Sequence, residues 1–257
     1  MEDLAILPSS LLEEYKKAVG KDIYQAFKRL HDSKLSVDTF SFYISVSAVF
    51  SSKIEGENIE LDSYIKHKKM GVRFLPDYTR KIDDLYSAYQ FAQGAKLTAK
   101  NVEKAHKLLT KNILQATERG KIRTGNMYVS TADGRIEYVA APPADVKPAM
   151  QALYNDIRLL FDTELSFAEV FFFASIIHLV FVKIHPFSDG NGRTARLLEK
   201  WFIAEKLGAK AWFIQSERHY YKHHQTYYKN IRALGLEYAF LDYSKAMPFA
   251  LMLPGAL

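Results

Sequence analysis

The sequence predicts an all-α fold that carries one small β-hairpin. Apolar residues recur at helical spacing in segment after segment, and most of these segments begin at a capping residue or end at glycine. One stretch departs from this pattern: two short alternating runs, residues 127–131 and 135–139, flank Asp133 and Gly134. An Asp-Gly pair between alternating runs is a strong signal for a two-residue hairpin turn. The expected architecture is a helical bundle with a hairpin inserted between helices.

The first third of the chain contains the patterns of four helices. Residues 11–30 are amphipathic. A second helix, capped by Ser36 or Asp38, runs to Glu55, where Gly56 ends it. Two further helices are predicted over residues 61–69 and 76–93, the latter with a proline in its first turn, where proline is tolerated.

The remaining helices are predicted from caps and glycine stops. Ser166 and Glu169 form a capping-box pattern ahead of an apolar helix that ends before His185. The other predicted helices are residues 99–114 with Thr98 as cap, a segment capped by Asp145 that runs to Phe161, residues 191–207 before Gly208, and residues 217–234 before Gly235. The apolar run 170–182 is too short to cross a bilayer, so a buried core helix is expected.

Composition limits the classes of function. Apolar residues make up 48% and charged residues 25% of the chain, as in a soluble globular protein. The chain has no cysteine, which excludes disulfides and thiolate metal sites. A net charge of +6 without any block of Lys and Arg argues against nucleic acid as a partner. The N-terminus lacks the pattern of a secretory signal and no membrane partner is expected, so the predicted location is the cytoplasm.

The segment 185–196 reads HPFSDGNGRTAR and concentrates groups that suit a polyphosphate. Gly190 and Gly192 carry no side chain, so backbone N–H groups beside them can approach a ligand closely. A helix that begins at Asn191 offers unpaired N–H groups and a favourable dipole to an anion. Asn191 itself is expected to contact a phosphate through its side chain or backbone, with a plain helix cap as the alternative.

Two arginines follow on the predicted helix. Arg193 and Arg196 lie three residues apart and therefore project from roughly one helical face. Their guanidinium groups match the geometry of phosphate oxygens. The alternative is a pair of surface contacts with Glu199 or Glu205, but such ion pairs contribute only about 0–1 kcal/mol. Phosphate binding is the preferred interpretation.

Two further side chains offer a metal ligand and a base. Asp189 has the hard carboxylate oxygens that suit Mg²⁺ carried in with a phosphate chain, with a helix N-cap as the simpler alternative. His185 precedes Pro186, and its imidazole suits a general base that must be neutral, so activity should fall below a pKa of about 6.5. The segment therefore predicts a polyphosphate site with a base at its edge.

This segment resembles the Fic family signature HPFxDGNGRxxR at every specified position. The resemblance implies an all-helical fold and a nucleotidyltransferase that moves AMP from ATP to a hydroxyl side chain of a target protein. It also implies that His185 is the base, that Asp189 binds the Mg²⁺ that accompanies ATP, and that the α-phosphate lies against the loop at residues 190–192. In organisation the likeness extends over about residues 40–235.

A second short stretch, Ser51–Gly56, resembles the inhibitory motif [S/T]xxxE[G/N] of the same family. The resemblance implies that Glu55 pairs with the second arginine of the signature, Arg196, and so occupies the group that would hold the γ-phosphate. ATP would then bind with its α-phosphate misplaced for in-line attack. The alternative is that Glu55 is a solvated acid in a polar run. Ser51 is expected to support the helix, and its hydroxyl to orient Glu55.

The predicted hairpin has a counterpart in the family, the flap, which covers the active site and holds the target segment by strand-like pairing. An ordinary exposed hairpin is the alternative. The flap residues expected to dock a target are Met127, Tyr128, Val129, Ser130 and Tyr138.

Aromatic residues and histidines outside the signature have less specific interpretations. Tyr220 or Tyr221 is expected to stack on adenine, since Fic proteins line the adenine pocket from the helix that follows the signature helix; a core stripe is the alternative. His178 is expected to be a hydrogen-bonded core histidine. His219, His223 and His224 are interpreted as structural or surface residues.

The resemblance divides the chain into an N-terminal helical region with the inhibitory helix (1–95), a Fic core (96–235) and a C-terminal tail (236–257). The implied partners are ATP and a hydroxyl-bearing protein, and a homodimer is a candidate assembly because dimers are common in the family. Three other functions stay open. One is transfer of another nucleotide, phosphocholine or a phosphoryl group; one is removal of AMP, with Glu55 positioning water; one is nucleotide binding without turnover.

Overall fold

The structure, a computed structural model, describes residues 4–20, 22–38, 40–74, 76–130, 134 and 136–257. These residues form a helical protein with one two-stranded sheet, which confirms the predicted fold class. The α-helices are α1 (Leu12–Val19), α2 (Asp22–Lys28), α3 (Phe42–Ile54), α4 (Leu61–Met70), α5 (Pro76–Gln93), α6 (Ala99–Leu109), α7 (Pro143–Asp162), α8 (Phe167–Ile184), α9 (Asn191–Leu207), α10 (Ser216–Lys222), α11 (His224–Arg232) and α12 (Met247–Ala250). The strands are β1 (Tyr128–Ser130) and β2 (Ile136–Val139), and short 3₁₀-helices lie at Ala209–Phe213, Tyr238–Phe240, Tyr243–Lys245 and Pro254–Ala256.

Helix α8 forms the centre of the core. Its residues from Val170 to Ile184 are all buried, and α1, α2, α7, α9 and α12 pack against it. The predicted capping box is present: the Ser166 hydroxyl accepts from the Glu169 N–H, and the Glu169 carboxylate accepts from the Ser166 N–H. By length and composition alone α8 would pass for a membrane span, but the rest of the protein buries 83% of it. This burial agrees with the predicted core helix.

Helices α1 and α2 replace the single amphipathic helix predicted over residues 11–30. Gly20 separates them with φ +67°, a backbone conformation that L-residues rarely adopt. Helices α4 and α5 lie where the sequence predicts them. The carboxylate of Asp156, on α7, accepts the N–H groups of residues 5, 6 and 7 at 2.8–2.9 Å. These bonds tie the N-terminal segment to the helical core.

Helix α3 starts later than predicted. It begins at Phe42, because the Ser41 hydroxyl accepts from the Ile44 N–H at 3.3 Å and so provides the cap. The predicted caps, Ser36 and Asp38, are therefore wrong. The Ser36 hydroxyl instead accepts from the Phe42 N–H at 3.1 Å, which steadies the chain as it enters the helix.

Helices α6 and α7 differ from prediction at one end each. Helix α6 begins after its predicted cap, Thr98, but ends at Leu109. The chain turns away there because the backbone and side-chain N–H groups of Asn112 both donate to the Asp84 carboxylate at 2.8 Å. Helix α7 begins at its proline, so Asp145 lies in the first turn instead of capping it.

The helix predicted over residues 217–234 is two helices, α10 and α11, which meet at His223. The segment contains no proline or glycine that would predict this break. In a straight helix Tyr220 and Tyr227 would lie roughly 10 Å apart along the axis, since the rise is about 1.5 Å per residue. The bend brings their ring centroids to 5.0 Å, and both rings pack against His178. His178 is hydrogen-bonded and buried, as predicted.

Strands β1 and β2 form the predicted antiparallel hairpin. Its predicted turn around Asp133 lies outside the described residues except for Gly134, which has φ +84°. The outer edge of β2 is covered, because the Val139 N–H donates to the Leu236 carbonyl at 2.7 Å. Within the described part of the chain, β1 pairs with β2 alone, so its other edge is open.

The C-terminal residues pack into the same core as the rest of the chain. Phe249 of α12 and Leu253 are fully buried, and the Phe249 ring lies 5.1 Å from that of His178. All three predicted units, 1–95, 96–235 and 236–257, contribute side chains to one hydrophobic core. Their division into separate units stays a prediction from the sequence.

Candidate active site

Helix α8 is followed by His185 in a left-handed backbone conformation. His185 has φ +53° and ψ +61°, and among the described residues it is the one non-glycine residue with positive φ. This conformation costs roughly 1–2 kcal/mol for an L-residue. The buried Arg123 stabilises it: Nε donates to the His185 carbonyl at 2.7 Å, and the backbone N–H donates to the Pro186 carbonyl at 2.9 Å. The guanidinium also donates to the carbonyls of Gly125, Ala141 and Ile184.

The His185 imidazole is held through Nδ1. This nitrogen lies 3.0 Å from the Tyr138 hydroxyl and 3.3 Å from the Val182 carbonyl oxygen. Burial lowers the pKa of His185 to about 4; the Val182 carbonyl opposes this shift and the positive charge of Arg123 adds to it. The ring is therefore neutral at pH 7. It takes up a proton at a lower pH than the value of about 6.5 expected from the sequence.

The loop between α8 and α9 is stiffened by its own side chains. The Phe187 ring stacks on that of His106, with centroids 3.7 Å apart and an angle of 17°. The Asn191 side chain makes two bonds to the backbone of Phe187: Oδ1 accepts from the N–H at 2.9 Å, and Nδ2 donates to the carbonyl at 2.8 Å. Asn191 thus holds the loop with its side chain, and the predicted phosphate contact is left to its backbone N–H.

His106, on α6, holds the other side of this loop. Its Nδ1 accepts from the Gly120 N–H at 2.8 Å, so Nε2 carries the proton and donates to the Asp189 carbonyl at 2.8 Å. Burial lowers the pKa of His106 to about 4, which keeps this tautomer neutral. Sequence reasoning missed His106, since 83 positions separate it from Asp189 and no local pattern marks it.

Two glycines of the signature are required by close contacts. Gly190 has φ +79°, and a Cβ on it would lie 2.7 Å from Thr110 Cγ2 and 3.0 Å from Leu109 Cδ1. A Cβ on Gly192 would lie 2.6 Å from Oε1 of Glu55. Because Gly192 has no side chain, the Glu55 carboxylate can approach the backbone of the first turn of α9.

Arg196 is fully buried and binds the end of α3. Its Nη2 donates to Glu55 Oε1 at 2.6 Å and to the Ser51 carbonyl at 3.1 Å, and its Nε donates to the Ser51 hydroxyl at 2.8 Å. The sequence suggested that the Ser51 hydroxyl orients Glu55. In the structure it instead accepts from Arg196. Burial alone would raise the pKa of Glu55, but Arg196 and then Arg193 hold it below its ordinary value. The Glu55 side chain remains 26% exposed.

Arg193 is 5% exposed and lies beside a second acid. Its Nη2 is 4.0 Å from Glu57 Oε1, an oxygen that also accepts from Lys81 at 2.7 Å. The buried Nε–H of Arg193 has no acceptor among the described residues. The alternative partners considered from the sequence are engaged elsewhere: Glu199 binds His178 and Glu205 accepts the Leu97 N–H.

Asp189 lies at the mouth of the loop, with an exposed side chain. One of its carboxylate oxygens accepts from the Gly190 N–H. No group of three or more His, Cys, Asp or Glu side chains with metal-binding spacing occurs in the described part of the chain. A single exposed carboxylate fits an ion such as Mg²⁺, which retains water and takes further oxygens from a phosphate chain.

A cleft of about 790 Å³ opens beside Glu55. It is lined by Ile54, Glu55, Val129, Ser130, Glu137, His224, Gln225, Tyr228, Lys229 and Arg232. Helix α3, the hairpin and helix α11 therefore surround it. Tyr228 is the one tyrosine in this lining, and it is half-buried.

The structure does not bring Tyr220 or Tyr221 to this cleft. Tyr220 is buried in the core, where its hydroxyl donates to Glu199 at 2.8 Å, so it has no exposed face for a base. Tyr221 packs against Phe50, with ring centroids 5.6 Å apart. Both tyrosines lie on α10, whereas Tyr228, which lines the cleft, lies on α11.

The predicted flap residues separate into two groups. Val129 and Ser130 line the cleft, Tyr128 is exposed, and Met127 is half-buried. Tyr138 faces inward instead, toward the imidazole of the signature histidine, so the structure does not support its predicted role in docking a target.

Comparison with known proteins agrees with this geometry. Residues 96–203 match the Fic/DOC family, and this range contains the whole signature segment. This part of the chain is therefore similar to a Fic domain. Over 81 residues the chain is 41% identical to protein adenylyltransferase Fic of Nematostella vectensis and 38% identical to protein adenylyltransferase fic-1 of Caenorhabditis elegans. Each match covers 32% of this chain, and 17% and 14% of the respective relative, so the chain spans less than a fifth of their length.

Residues 96–203 and their surroundings also resemble solved structures. A Fic family protein from Desulfovibrio desulfuricans G20 superposes with a TM-score of 0.75 at 20% identity, over 97% of this chain and 72% of that one. Fic-1 from C. elegans superposes with a TM-score of 0.68 at 17% identity, over 96% of this chain and 69% of that one. These likenesses establish the shared fold.

Proposed function

We propose that this chain is a protein adenylyltransferase, which transfers AMP from ATP to a hydroxyl side chain of another protein. The observation that carries the proposal is the position of the Glu55 carboxylate at the first turn of α9. One of its oxygens lies 2.6 Å from Arg196 Nη2 and 2.6 Å from where a Cβ on Gly192 would stand. A helix N-terminus, an arginine and a bare glycine together form an anion site. The names of the related proteins support ATP as the source of that anion.

In the proposed complex, the triphosphate lies along the first turn of α9. Backbone N–H groups near Gly190 and Gly192 hold the α-phosphate, and Arg193 and Arg196 hold the β- and γ-phosphates. Arg193 suits this role because its buried Nε–H has no acceptor among the described residues. A buried donor without a partner costs about 1–3 kcal/mol, which an incoming phosphate oxygen would remove.

His185 is the proposed general base. The target hydroxyl gives its proton to the imidazole as its oxygen attacks the α-phosphorus. The bond between the α-phosphorus and the bridging oxygen breaks, pyrophosphate leaves, and a new P–O bond joins AMP to the target. The base must start neutral, and burial, which lowers the pKa of His185 to about 4, keeps it so at pH 7.

Mg²⁺ is the proposed companion of ATP, with Asp189 as its protein ligand. When bound, the ion would neutralise charge on the phosphate chain. The chain's own part is to place the carboxylate: His106 holds the Asp189 carbonyl at 2.8 Å, and the Gly190 N–H binds one carboxylate oxygen. These bonds orient Asp189 toward the start of α9.

The cleft supplies proposed places for the base and for the target. Tyr228 offers an aromatic face for adenine, in place of the tyrosines expected from the sequence. The open edge of β1 offers backbone N–H and C=O groups to an extended target segment. Val129 and Ser130, which line the cleft from this strand, would then lie beside the hydroxyl to be modified.

Glu55 is the proposed brake on the reaction. It occupies Arg196 at 2.6 Å, and no phosphate can use that guanidinium edge while the pair persists. The pair is built into one chain, because α3 delivers Glu55 directly from its C-terminal end. Removal of the carboxylate should therefore free both the arginine and the space above Gly192.

The test is intact-mass analysis of the full chain incubated with Mg²⁺ and each of the four ribonucleoside triphosphates. Glu55→Gly should gain AMP, on itself or on an added target, to a greater extent than wild type, and the double variant with His185→Ala should gain none. Glu60→Gly, which removes a nearby exposed carboxylate, serves as the matched control and should behave as wild type. ATP binding without any mass gain in Glu55→Gly would refute transfer, and a gain from another triphosphate alone would reassign the nucleotide.

A second candidate function is the reverse reaction, removal of AMP from a modified protein. It is favoured by the 26% exposure of the Glu55 side chain, which leaves the carboxylate able to orient a water in the cleft. Wild-type chain should then release AMP from protein that Glu55→Gly has modified, while Glu55→Gly should not. Equal, negligible release by both would exclude this activity.

A further inference from the structure

We infer that Tyr138 is a positioning residue for His185: its hydroxyl selects the tautomer in which Nδ1 carries the proton and Nε2 is left bare to accept one. The inference rests on the proposed role of His185 as base. It assigns to the hairpin a task beyond holding a target, since Tyr138 belongs to β2.

The argument begins with an unpaired carbonyl. In an α-helix the carbonyl of residue i accepts from the N–H of residue i+4. For Val182 that residue is Pro186, which has no N–H. The Tyr138 hydroxyl takes the missing donor's place, donating to the Val182 carbonyl at 2.9 Å. A carbonyl cannot donate, so the one hydroxyl proton of Tyr138 is committed to this bond.

The direction of the second bond follows from the first. The Tyr138 oxygen lies 3.0 Å from Nδ1 of His185 and, with its proton used, can only accept there. The Val182 carbonyl, 3.3 Å from the same nitrogen, is also an acceptor. Both neighbours of Nδ1 are hydrogen-bond acceptors, so Nδ1 must carry the ring proton. In a neutral imidazole Nε2 is then the acceptor.

The surroundings of Tyr138 keep its hydroxyl protonated and in place. The residue is 5% exposed, and burial raises its pKa well above the ordinary value. The Lys183 ammonium lies 4.4 Å from the centre of its ring, a cation–π contact that restrains the ring from one side. The His185 ring meets it edge-on, with centroids 6.0 Å apart.

The position of Tyr138 also links the base to the cleft. In the hairpin register Tyr138 is paired with Val129, which lines the cleft from the strand with the open edge. A segment that pairs with this strand would therefore lie one strand away from the residue that sets the tautomer of the base. The hairpin thus joins the surface offered to a target and the proton acceptor.

The decisive experiment compares Tyr138→Phe with the parent chain, both in the Glu55→Gly background. Nitrogen-15 NMR of the imidazole rings, recorded without nucleotide, should show His185 protonated on Nδ1 in the parent and a mixture of tautomers in Tyr138→Phe. The rate of AMP transfer at saturating ATP should fall roughly 5- to 30-fold, the effect of one to two kcal/mol, while KM for ATP changes little. Tyr24→Phe, the same chemical change at an exposed tyrosine on α2, should alter neither measurement.

The outcomes separate this inference from the proposed function. Transfer that persists with an unchanged His185 tautomer in Tyr138→Phe would overturn the inference alone. Absence of transfer in every chain would overturn the proposed function, while the NMR comparison would still decide the tautomer. If Tyr138→Phe fails to fold, the parent spectrum decides by itself, because a proton on Nε2 of His185 contradicts the assignment.

Discussion

At the scale of single residues, the candidate catalytic groups depend on buried side chains that take no part in the chemistry. Arg123 holds the carbonyl of His185, and His106 holds the carbonyl of Asp189. Each donates to a backbone carbonyl, so it fixes the position of the backbone from which the functional side chain extends. The signature therefore has its geometry only inside this fold, since both supports lie on other parts of the chain.

The phosphate role of Arg196 can be separated from its role as partner of Glu55. In the Glu55→Gly background the brake is already absent, so a further Arg196→Ala change removes the proposed phosphate contact together with the two bonds to Ser51. We expect transfer to fall roughly 100-fold or more, the usual effect of losing a donor that stabilises transition-state charge. The measurement is the initial rate of AMP incorporation at saturating ATP.

The control for this prediction is Arg218→Ala in the same background. Arg218 is exposed and donates to the Gln215 side chain, so its loss should leave the rate unchanged. Similar losses in the two variants would show that Arg196 acts through general charge and does not contact the phosphates.

At the scale of elements, the site forms where three helices end. His185 follows α8, α9 begins at Asn191, and α3 ends just before Glu55. Helix ends carry unpaired backbone groups and partial charges, which ordinary helix interiors do not. The meeting of these ends gives one small region the proposed anion site, the proposed base and the carboxylate proposed to compete with phosphate.

The start of α9 can be tested through Gly190. Gly190→Ala should destabilise the protein by about 1–2 kcal/mol for its positive φ, and further for the contact with Thr110 at 2.7 Å. It should also lower transfer strongly, because the loop that carries Asp189 must shift. The measurements are denaturant unfolding and AMP incorporation on the same variant.

Gly20→Ala is the matched control for this substitution. Gly20 has a similar positive φ of +67°, but a Cβ there meets nothing within 4 Å among the described residues. It should therefore lose stability for the backbone conformation alone and keep full transfer activity. Equal unfolding energies and equal rates in the two variants would mean that the close packing at Gly190 is unimportant.

At the scale of the whole molecule, two histidines at the candidate active site make the stability of the protein depend on pH. His106 is buried and His185 is half-buried, and desolvation lowers the pKa of each to about 4, so both rings are neutral at pH 7. The unfolded chain binds a proton at each histidine near pH 6.5, so it takes up protons before the folded protein does. Stability is therefore present in full above about pH 6.5 and is lost as pH falls toward 4.

This linkage predicts that the free energy of unfolding depends measurably on pH. The free energy of unfolding should rise with pH between 4 and 6.5 and flatten above, and the fully buried His106 should account for on the order of 3 kcal/mol of the rise. Denaturant unfolding at a series of pH values measures it. His106→Gln should be less stable near neutrality but have a shallower slope; parallel curves for the two proteins would contradict the assignment.

The sequence by itself determined the features that depend on interactions between residues close together in the chain. Helix α9 begins at Asn191 and ends at Leu207 as predicted, and Ser166 and Glu169 form the expected capping box, because caps and glycine stops act within one helical turn. The signature segment indicated the chemistry for the same reason: its glycines, arginines and acid lie within two turns. The pairing of Glu55 with Arg196 was expected from resemblance, and the two side chains do meet in the fold.

The tertiary structure alone decided which distant side chains support that segment. Arg123, His106 and Tyr138 reach it from between 47 and 83 positions away, and no local pattern distinguishes them from ordinary core residues. The break between α10 and α11 has the same origin, since it lies between Tyr220 and Tyr227, whose rings pack together across it. Local backbone preferences act between neighbours, whereas buried hydrogen bonds must be satisfied by whatever group the fold brings near, and that group is known only once the chain has packed.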